Sequence, residues 1–274
     1  MKNKISFIII ILSLALLSFS IYKIIEWEMD NSKTEKIVAE ISNMLETQEL
    51  NDESFEISKL SQVTNEESDY FKYINVPLMK VDFSNLVNIN SDTVAFVNVP
   101  NTNINYPVVQ KSDNNFYLKH TYDKSKNNAG WVFLDYRNNI KELTSNNIIY
   151  AHNRVDKTMF GTLKDTLKSE WLDNENNHYV RLVTPEYSSI WKVFSVYKIK
   201  TESGYLATEF SNETEKLEFY NKLLNRSLYN FGMEVNEEDR ILTLSTCYNE
   251  SERVVMHAKL IKMGQSQILN NNSF

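Results

Sequence analysis

Cys247, His152 and Arg253 are the residues whose types and positions could carry acyl-transfer chemistry. Cys247 is the only cysteine in the chain, so no intramolecular disulfide can form and an unpaired thiol needs another explanation. It closes the apolar run Ile241-Leu242-Thr243-Leu244-Ser245-Thr246, so a buried strand would deliver its sulfur to a sheet edge or barrel mouth. A thiol attacks carbonyls as a thiolate, and its free pKa lies above neutral, so it needs a base or a cation beside it. The plainer alternative is a small buried thiol that only packs.

Three of the four histidines have ordinary explanations. His120 lies in a polar loop, His178 follows a run of asparagines, and His257 alternates within a strand. His152 follows the run Asn147-Ile148-Ile149-Tyr150-Ala151 and begins the polar turn Asn153-Arg154-Val155-Asp156. It therefore sits, like Cys247, where a strand opens onto a loop. Two strand ends can converge across a barrel mouth, and a Cys/His pair distant in sequence is the arrangement of thiol enzymes. Arg253 begins the last strand, six residues after Cys247, so a tight hairpin through Tyr248 to Glu252 would return it beside the sulfur. Its permanently charged guanidinium could donate to an oxyanion or a substrate carbonyl. Pairing with Glu250 or Glu252 at the surface is the competing use.

The elements that must position these groups are mostly short strands. Runs at Thr93 to Val99, Tyr106 to Gln110, Trp131 to Leu134, Asn147 to Ala151, Tyr179 to Thr184, Ile190 to Ile199, Ile241 to Thr246 and Arg253 to Ile261 are separated by Asn, Asp, Ser and Pro turns. That pattern predicts an antiparallel barrel or sandwich rather than a parallel βαβ sheet. Two helices interrupt it, Met159 to Ser169 and Glu213 to Tyr229, the second with Leu217, Tyr220 and Leu224 on one face. Asn212 and Glu215 have the spacing of a capping box for it.

The N-terminal part reads differently. Ile5 to Ile25 is apolar over about the length that crosses a hydrocarbon core. Lys2 and Lys4 precede it and Glu26, Glu28 and Asp30 follow, which leaves the short N-terminus in the cytoplasm and everything after Ile25 outside. A cleaved signal peptide is the alternative, but the run is long for one and Ser18-Phe19-Ser20 is a poor cleavage site. Ile37, Ile41, Met44 and Leu45 recur at helical spacing and predict a short amphipathic helix packed on the domain. Thr47 to Asp69 reads as a polar spacer. A chain of 274 residues holds one core plus an anchor and a connection. The net charge of −7 comes from interspersed acids and bases, which disfavours nucleic acid as a partner. No clustered Cys/His spacing of a zinc site, phosphate loop or repeat is present in the sequence.

Thr243-Leu244-Ser245-Thr246-Cys247 followed by Arg253-Val254-Val255 resembles the sortase signature. The likeness extends from about Asp82 to Met263, and its details are similar to class B sortases: Asn105 to Gln110, Gly130 to Asp135, Tyr150-Ala151-His152-Asn153 and Met159-Phe160 follow in the expected order. The connection from Thr201 to Asp239 is similar to the helix-bearing class B insertion between the sixth and seventh barrel strands. The resemblance implies a mainly β fold, a closed eight-stranded sortase-type barrel with an N-terminal helix. It implies a catalytic set of Cys247, His152 and Arg253, and a substrate groove at Asn114, Leu118, Tyr150, Thr201, Tyr205, Leu206 and Ser245. For Leu118, Tyr150 and Leu206, core packing is the competing role. Two features depart from the pattern: the Cys247 to Arg253 hairpin is short, and Ala151 stands where glycine commonly precedes the histidine.

The expected organisation is a cytoplasmic N-terminus at 1–4, a signal anchor at 5–25, an extracytoplasmic helix and linker at 26–87, the catalytic domain at 88–265 and a polar tail at 266–274. The implied reaction cleaves a C-terminal sorting motif of a secreted protein after threonine and transfers it to a peptidoglycan amine, with no metal or organic cofactor. A pilus-polymerising sortase using a subunit lysine is one alternative, though the sequence shows no obvious lid. A thiol hydrolase is a second, and a scaffold domain with an inert Cys247 is a third.

Overall fold

The computed structural model describes residues 2–45, 47–50, 55–57, 76–247 and 251–266. The Cys247 thiol and the hairpin tip at 248–250 lie outside the described residues, as does the tail from 267.

One helix, α1 (Lys2–Met44), contains both the apolar run and the expected amphipathic segment. Its 43 residues span about 65 Å at 1.5 Å per residue. The helix is long and apolar enough to cross a membrane, and its apolar window is unburied by protein. Beyond that window Asn31, Thr34, Ile37 and Ile41 are buried, a stripe with the three-to-four-residue repeat of a docked helix face. Met44 falls off this stripe and is exposed. The expected spacer contains two strands, β1 (Thr47–Leu50) and β2 (Phe55–Ile57). The rest of it, 51–54 and 58–69, lies outside the described residues.

The remaining elements are β3 (Leu78–Val81), α2 (Ser84–Ile89), β4 (Thr93–Asn98), β5 (Asn105–Val109), β6 (Phe133–Leu134), β7 (Asn146–Ala151), α3 (Ser169–Leu172), β8 (Tyr179–Val183), β9 (Tyr187–Lys200), α4 (Glu213–Asn225), β10 (Ile241–Cys247) and β11 (Glu252–Ser266). Eight strands close a ring in the order β10-β7-β6-β5-β4-β8-β9-β11, and β11 pairs back onto β10. Outside the ring, β2 extends β11 and β1 pairs with β3. The barrel is mixed, correcting the antiparallel expectation: β10 runs parallel to β7, and β5 parallel to β6. Parallel neighbours need a long crossover rather than a hairpin, and residues 110–132 supply one between β5 and β6. Trp131, Trp191, Phe96 and Tyr122 fill the interior, and the Trp131 indole donates to the Pro107 carbonyl at 2.9 Å.

Two expected helices are corrected. Met159 to Ser169 forms no single α-helix: a 3₁₀ turn at Leu163–Leu167 is separated from α3 by Lys168 in extended conformation (φ −92°, ψ 148°). Met159 itself has φ 52°, which an α-helix excludes. The other helix stops at Asn225 because the next residues are drawn to β9, where the Leu228 N–H donates to the Val196 carbonyl at 2.9 Å. Its buried face carries Lys216, Tyr220 and Leu223, one step round from the expected Leu217 and Leu224. The Asn212 side chain accepts from the Glu215 N–H at 2.9 Å, while the Glu215 carboxylate reaches back to the Ser211 N–H at 2.8 Å.

Candidate active site

Register brings the three candidate catalytic residues to one rim of the barrel. β7 and β10 run parallel, and their last paired residues are Ala151 and Thr246. The next residues along the chain are His152, just past the end of β7, and Cys247, the last residue of β10, so the two backbones lie side by side where the parallel pairing ends. On the other side of β10, Cys247 is the antiparallel partner of Arg253. The strand carrying Cys247 is thus flanked by β7, which His152 directly follows, and by β11, which carries Arg253. Leu242 and Leu244 of β10 point into the barrel core while Ile241 points into the cluster under α4, and a slip of one residue would swap the two faces, which holds this register.

His152 is half-buried, and its Nε2 lies 2.8 Å from the Leu118 carbonyl oxygen. A carbonyl only accepts, so Nε2 carries a proton and Nδ1 is the nitrogen left for proton exchange. The ring rests on Gly130, whose φ is 60°. A Cβ there would lie 2.5 Å from the Tyr117 carbonyl and 3.0 Å from His152 Cδ2. Only glycine combines this left-handed conformation with so close an approach. The loop after His152 is closed by the Phe160 N–H donating to the His152 carbonyl at 3.0 Å, and by Asp156 gathering Arg154 and Thr158. Arg154 also donates to Asn31 of α1, while Asn128 donates to Asp30 at 2.9 Å. The long helix is therefore docked beside the His152 loop. Arg253 is half-buried and donates to the Glu252 carbonyl at 3.0 Å.

The expected groove residues fall into two groups. Asn114, Tyr150 and Leu206 meet at a hub made by Asp135 and Arg137. The wholly buried Asp135 carboxylate accepts from Arg137 Nη2 at 2.7 Å, Tyr150 Oη at 3.0 Å and Asn114 Nδ2 at 3.1 Å. Arg137 also donates to the Leu206 carbonyl at 3.1 Å. Burial alone would raise the Asp135 carboxyl, but hydrogen bonds from Arg137 and Tyr150, with the Arg137 charge, hold it below the usual carboxylate range. Tyr150 is pushed up by burial and by the Asp135 charge, so it remains a donor.

Tyr205 and Ser245 form the second group and are buried, with their hydroxyls 2.9 Å apart. Thr201 is exposed, its N–H donating to the Ser251 carbonyl at 2.7 Å. Leu118 and Leu206 are half-buried. Of the other histidines, His120 stacks on Phe116 with ring centroids 3.9 Å apart, and His178 is buried against the Leu172 carbonyl. His257 is buried with both ring nitrogens bonded. Sequence reasoning missed Gly130, Asp135 and Arg137 as individual residues. Gly130 and Asp135 sit inside a motif segment, but their partners come from distant strands. Among the described residues no cluster of three or more His, Cys, Asp or Glu could hold a metal.

A closed mixed barrel with cysteine, histidine and arginine at one rim is the frame of a thiol acyl-transferase. The chain belongs to the sortase family, whose Sortase domain matches residues 97–261, and it is a cysteine transpeptidase. Its relatives include sortase B of Staphylococcus aureus, 36% identical over 167 residues that make up 59% of this chain and 67% of that protein. The crystal structure of sortase B from Bacillus anthracis in complex with AAEK1 superposes with a TM-score of 0.66 at 33% identity, covering 85% of this chain and 99% of that one. A Staphylococcus aureus sortase B–substrate complex gives 0.60 at 35% identity, covering 66% of this chain and 84% of that one.

Proposed function

We propose that the chain is a membrane-anchored sortase of the B type that cleaves a C-terminal sorting motif after threonine and transfers the new acyl end to a peptidoglycan amine. The Cys247 thiolate attacks the threonine carbonyl carbon, forming the C–S bond of a tetrahedral oxyanion. Collapse breaks the scissile C–N bond, and His152 gives its proton to the departing amine. An incoming amine then attacks the thioester, His152 takes a proton from it, and the C–S bond breaks to regenerate the thiolate. Such a shuttle contributes roughly 10²–10⁴-fold in rate. Arg253 donates to the developing oxyanion, and one well-placed donor contributes about 3 kcal/mol.

The observation that carries this reading is the register at the rim, with Thr246 paired to Ala151 and Cys247 to Arg253. His152 has one nitrogen committed to a backbone carbonyl and the other available, as a proton shuttle requires. The groove is assigned to Asn114, Leu118, Tyr150, Thr201, Tyr205, Leu206 and Ser245. The segment at 5–25 serves as a retained signal anchor, with 1–4 in the cytoplasm, the 26–87 connection and the 88–265 catalytic domain on the outer face, and 266–274 as tail. The helix's length and hydropathy support the anchor, and the charges flanking it support the orientation. Secreted proteins bearing the motif and the wall amine are then the partners.

The test presents a threonine-containing peptide library to the full chain in detergent micelles and reads covalent adducts by mass spectrometry. A thioester on Cys247, resolved by an added amine into a peptide bond, is the expected result. Release only to water would favour a hydrolase, and no adduct on Cys247 would overturn the proposal.

A further inference from the structure

On the outward face of the barrel wall, in the cluster covered by α4, four side chains from four strands form one file of hydrogen bonds with a single consistent proton order. They are Tyr197 on β9, His257 on β11, Thr243 on β10 and Asn146 on β7, and all are buried. The Asn146 side-chain nitrogen lies 3.2 Å from the Tyr205 carbonyl and 2.8 Å from the Ala207 carbonyl. Carbonyls only accept, so this end is the NH₂ and Oδ1 faces the other way. Oδ1 accepts from the Thr243 hydroxyl at 2.6 Å. With its one proton committed, Thr243 accepts from His257 Nδ1 at 2.8 Å. His257 Nε2 therefore presents a lone pair, to which the Tyr197 hydroxyl donates at 2.8 Å. Burial, aided by the Arg226 charge, pushes the imidazole down to about 3 and keeps it neutral, as this order requires.

The file ends on two carbonyls that flank a third. Those of Tyr205 and Ala207 turn inward to Asn146, and the one between them, Leu206, accepts from Arg137. A peptide segment tied on alternate sides by successive carbonyls has little freedom left. The Asn146 amide holds its NH₂ toward this segment while Thr243 gives its proton to Oδ1. Thr243 in turn is oriented by the His257 Nδ1 proton. A satisfied buried network of this kind specifies one geometry where an apolar core would allow several.

We propose that His257 is a positioning residue for substrate selection, acting through Thr243 and Asn146 to hold the backbone at 205–207 so that Leu206 meets the peptide residues preceding the threonine. This rests on the reading of the Thr201 to Leu206 segment as a groove wall. His257 touches neither substrate nor the rim residues and takes no part in proton transfer. Its neutral, doubly bonded ring sets the shape of a surface that other residues use.

The test compares His257→Phe, His257→Gln, Thr243→Val and Leu206→Ala in the full chain in micelles, with a peptide library varied at the two positions before the threonine. Phenylalanine fills the space without either hydrogen bond, whereas glutamine can donate to Thr243 and accept from Tyr197. The Phe variant is expected to raise KM about tenfold for the peptide that the unaltered chain turns over fastest, and to flatten the ranking, while kcat changes less than about twofold. The Gln variant should recover most of that loss. Should the Phe variant fail to fold, Thr243→Val breaks the same file with a near-isostere and carries the same expectation. If Leu206→Ala shifts the ranking and neither His257→Phe nor Thr243→Val does, the positioning role is overturned while the wall stands. If Leu206→Ala leaves the ranking unchanged, the wall reading fails, and the role of His257 fails with it.

Discussion

The two ends of the histidine chemistry in this barrel make a useful pair. At the rim, His152 is half-buried, with one ring nitrogen on the Leu118 carbonyl and its carbon edge resting on Gly130. On the outward face of the wall, under α4, His257 is wholly buried and both nitrogens are committed, to Thr243 and Tyr197. The same side chain is left with a nitrogen to exchange protons in one place and is locked neutral in the other. What separates them is the number of partners and the access of water. A shuttle needs an uncommitted nitrogen, and a structural hinge pin needs none.

Substitutions at the rim should give the largest effects and leave the fold alone. Cys247→Ala is expected to abolish thioester formation, and His152→Ala to reduce turnover by roughly 10²–10⁴-fold, with unchanged circular dichroism. Substantial turnover by either variant would remove that residue from the mechanism. Arg253→Lys keeps the charge but loses the planar fork, and a loss of about 3 kcal/mol, on the order of 10²-fold in kcat/KM, is expected from steady-state kinetics.

Acid should act on the interior first. His257 has a folded pKa of about 3 against an ordinary 6.5. A depressed folded pKa means that the neutral ring's contribution to stability is fully present above the unfolded value and is lost as pH falls from 6.5 toward 3. The buried His178, also pushed down by burial and by the nearby Lys192, works in the same direction. The cost should be on the order of a few kcal/mol. Asp135, held below its usual range by Arg137, adds its own loss only at lower pH. Thermal melts between neutral and acid pH should show the early limb, and His257→Gln should shrink it. A melt profile unchanged by that substitution would deny the ring its buried, neutral state.

Gly130→Ala tests the floor beneath His152. The substitution meets a carbonyl 2.5 Å away and a left-handed backbone, for which roughly 1–3 kcal/mol of strain is typical. The melting temperature and turnover should fall together. If stability falls and turnover does not, Gly130 supports the loop but not the ring. The smallest effect is expected at the wall, where Leu206→Ala should cost about 1 kcal/mol in kcat/KM, altering preference among peptides without changing iodoacetamide reactivity at Cys247.

What the amino-acid sequence determined by itself was the set of local patterns. The alternating apolar runs and the Asn212 cap are properties of neighbouring residues, and each gave its element to within a few positions, whereas the apolar stretch at 5–25 is part of one helix that continues to Met44. The candidate triad was legible because Cys247 and His152 each sit at the end of such a run and because the flanking motif is distinctive. Tertiary structure alone decided the parallel pairing of β7 with β10, since strand direction in a ring depends on crossovers that no local pattern encodes. It also broke the expected Met159 to Ser169 helix, whose propensity yielded to the positive φ at Met159 and the extended Lys168. The Asp135 hub and the file through His257 were invisible beforehand for a related reason. Their members lie far apart in sequence, and a hydrogen bond between them exists only once the barrel closes and removes the water that would otherwise satisfy each one separately.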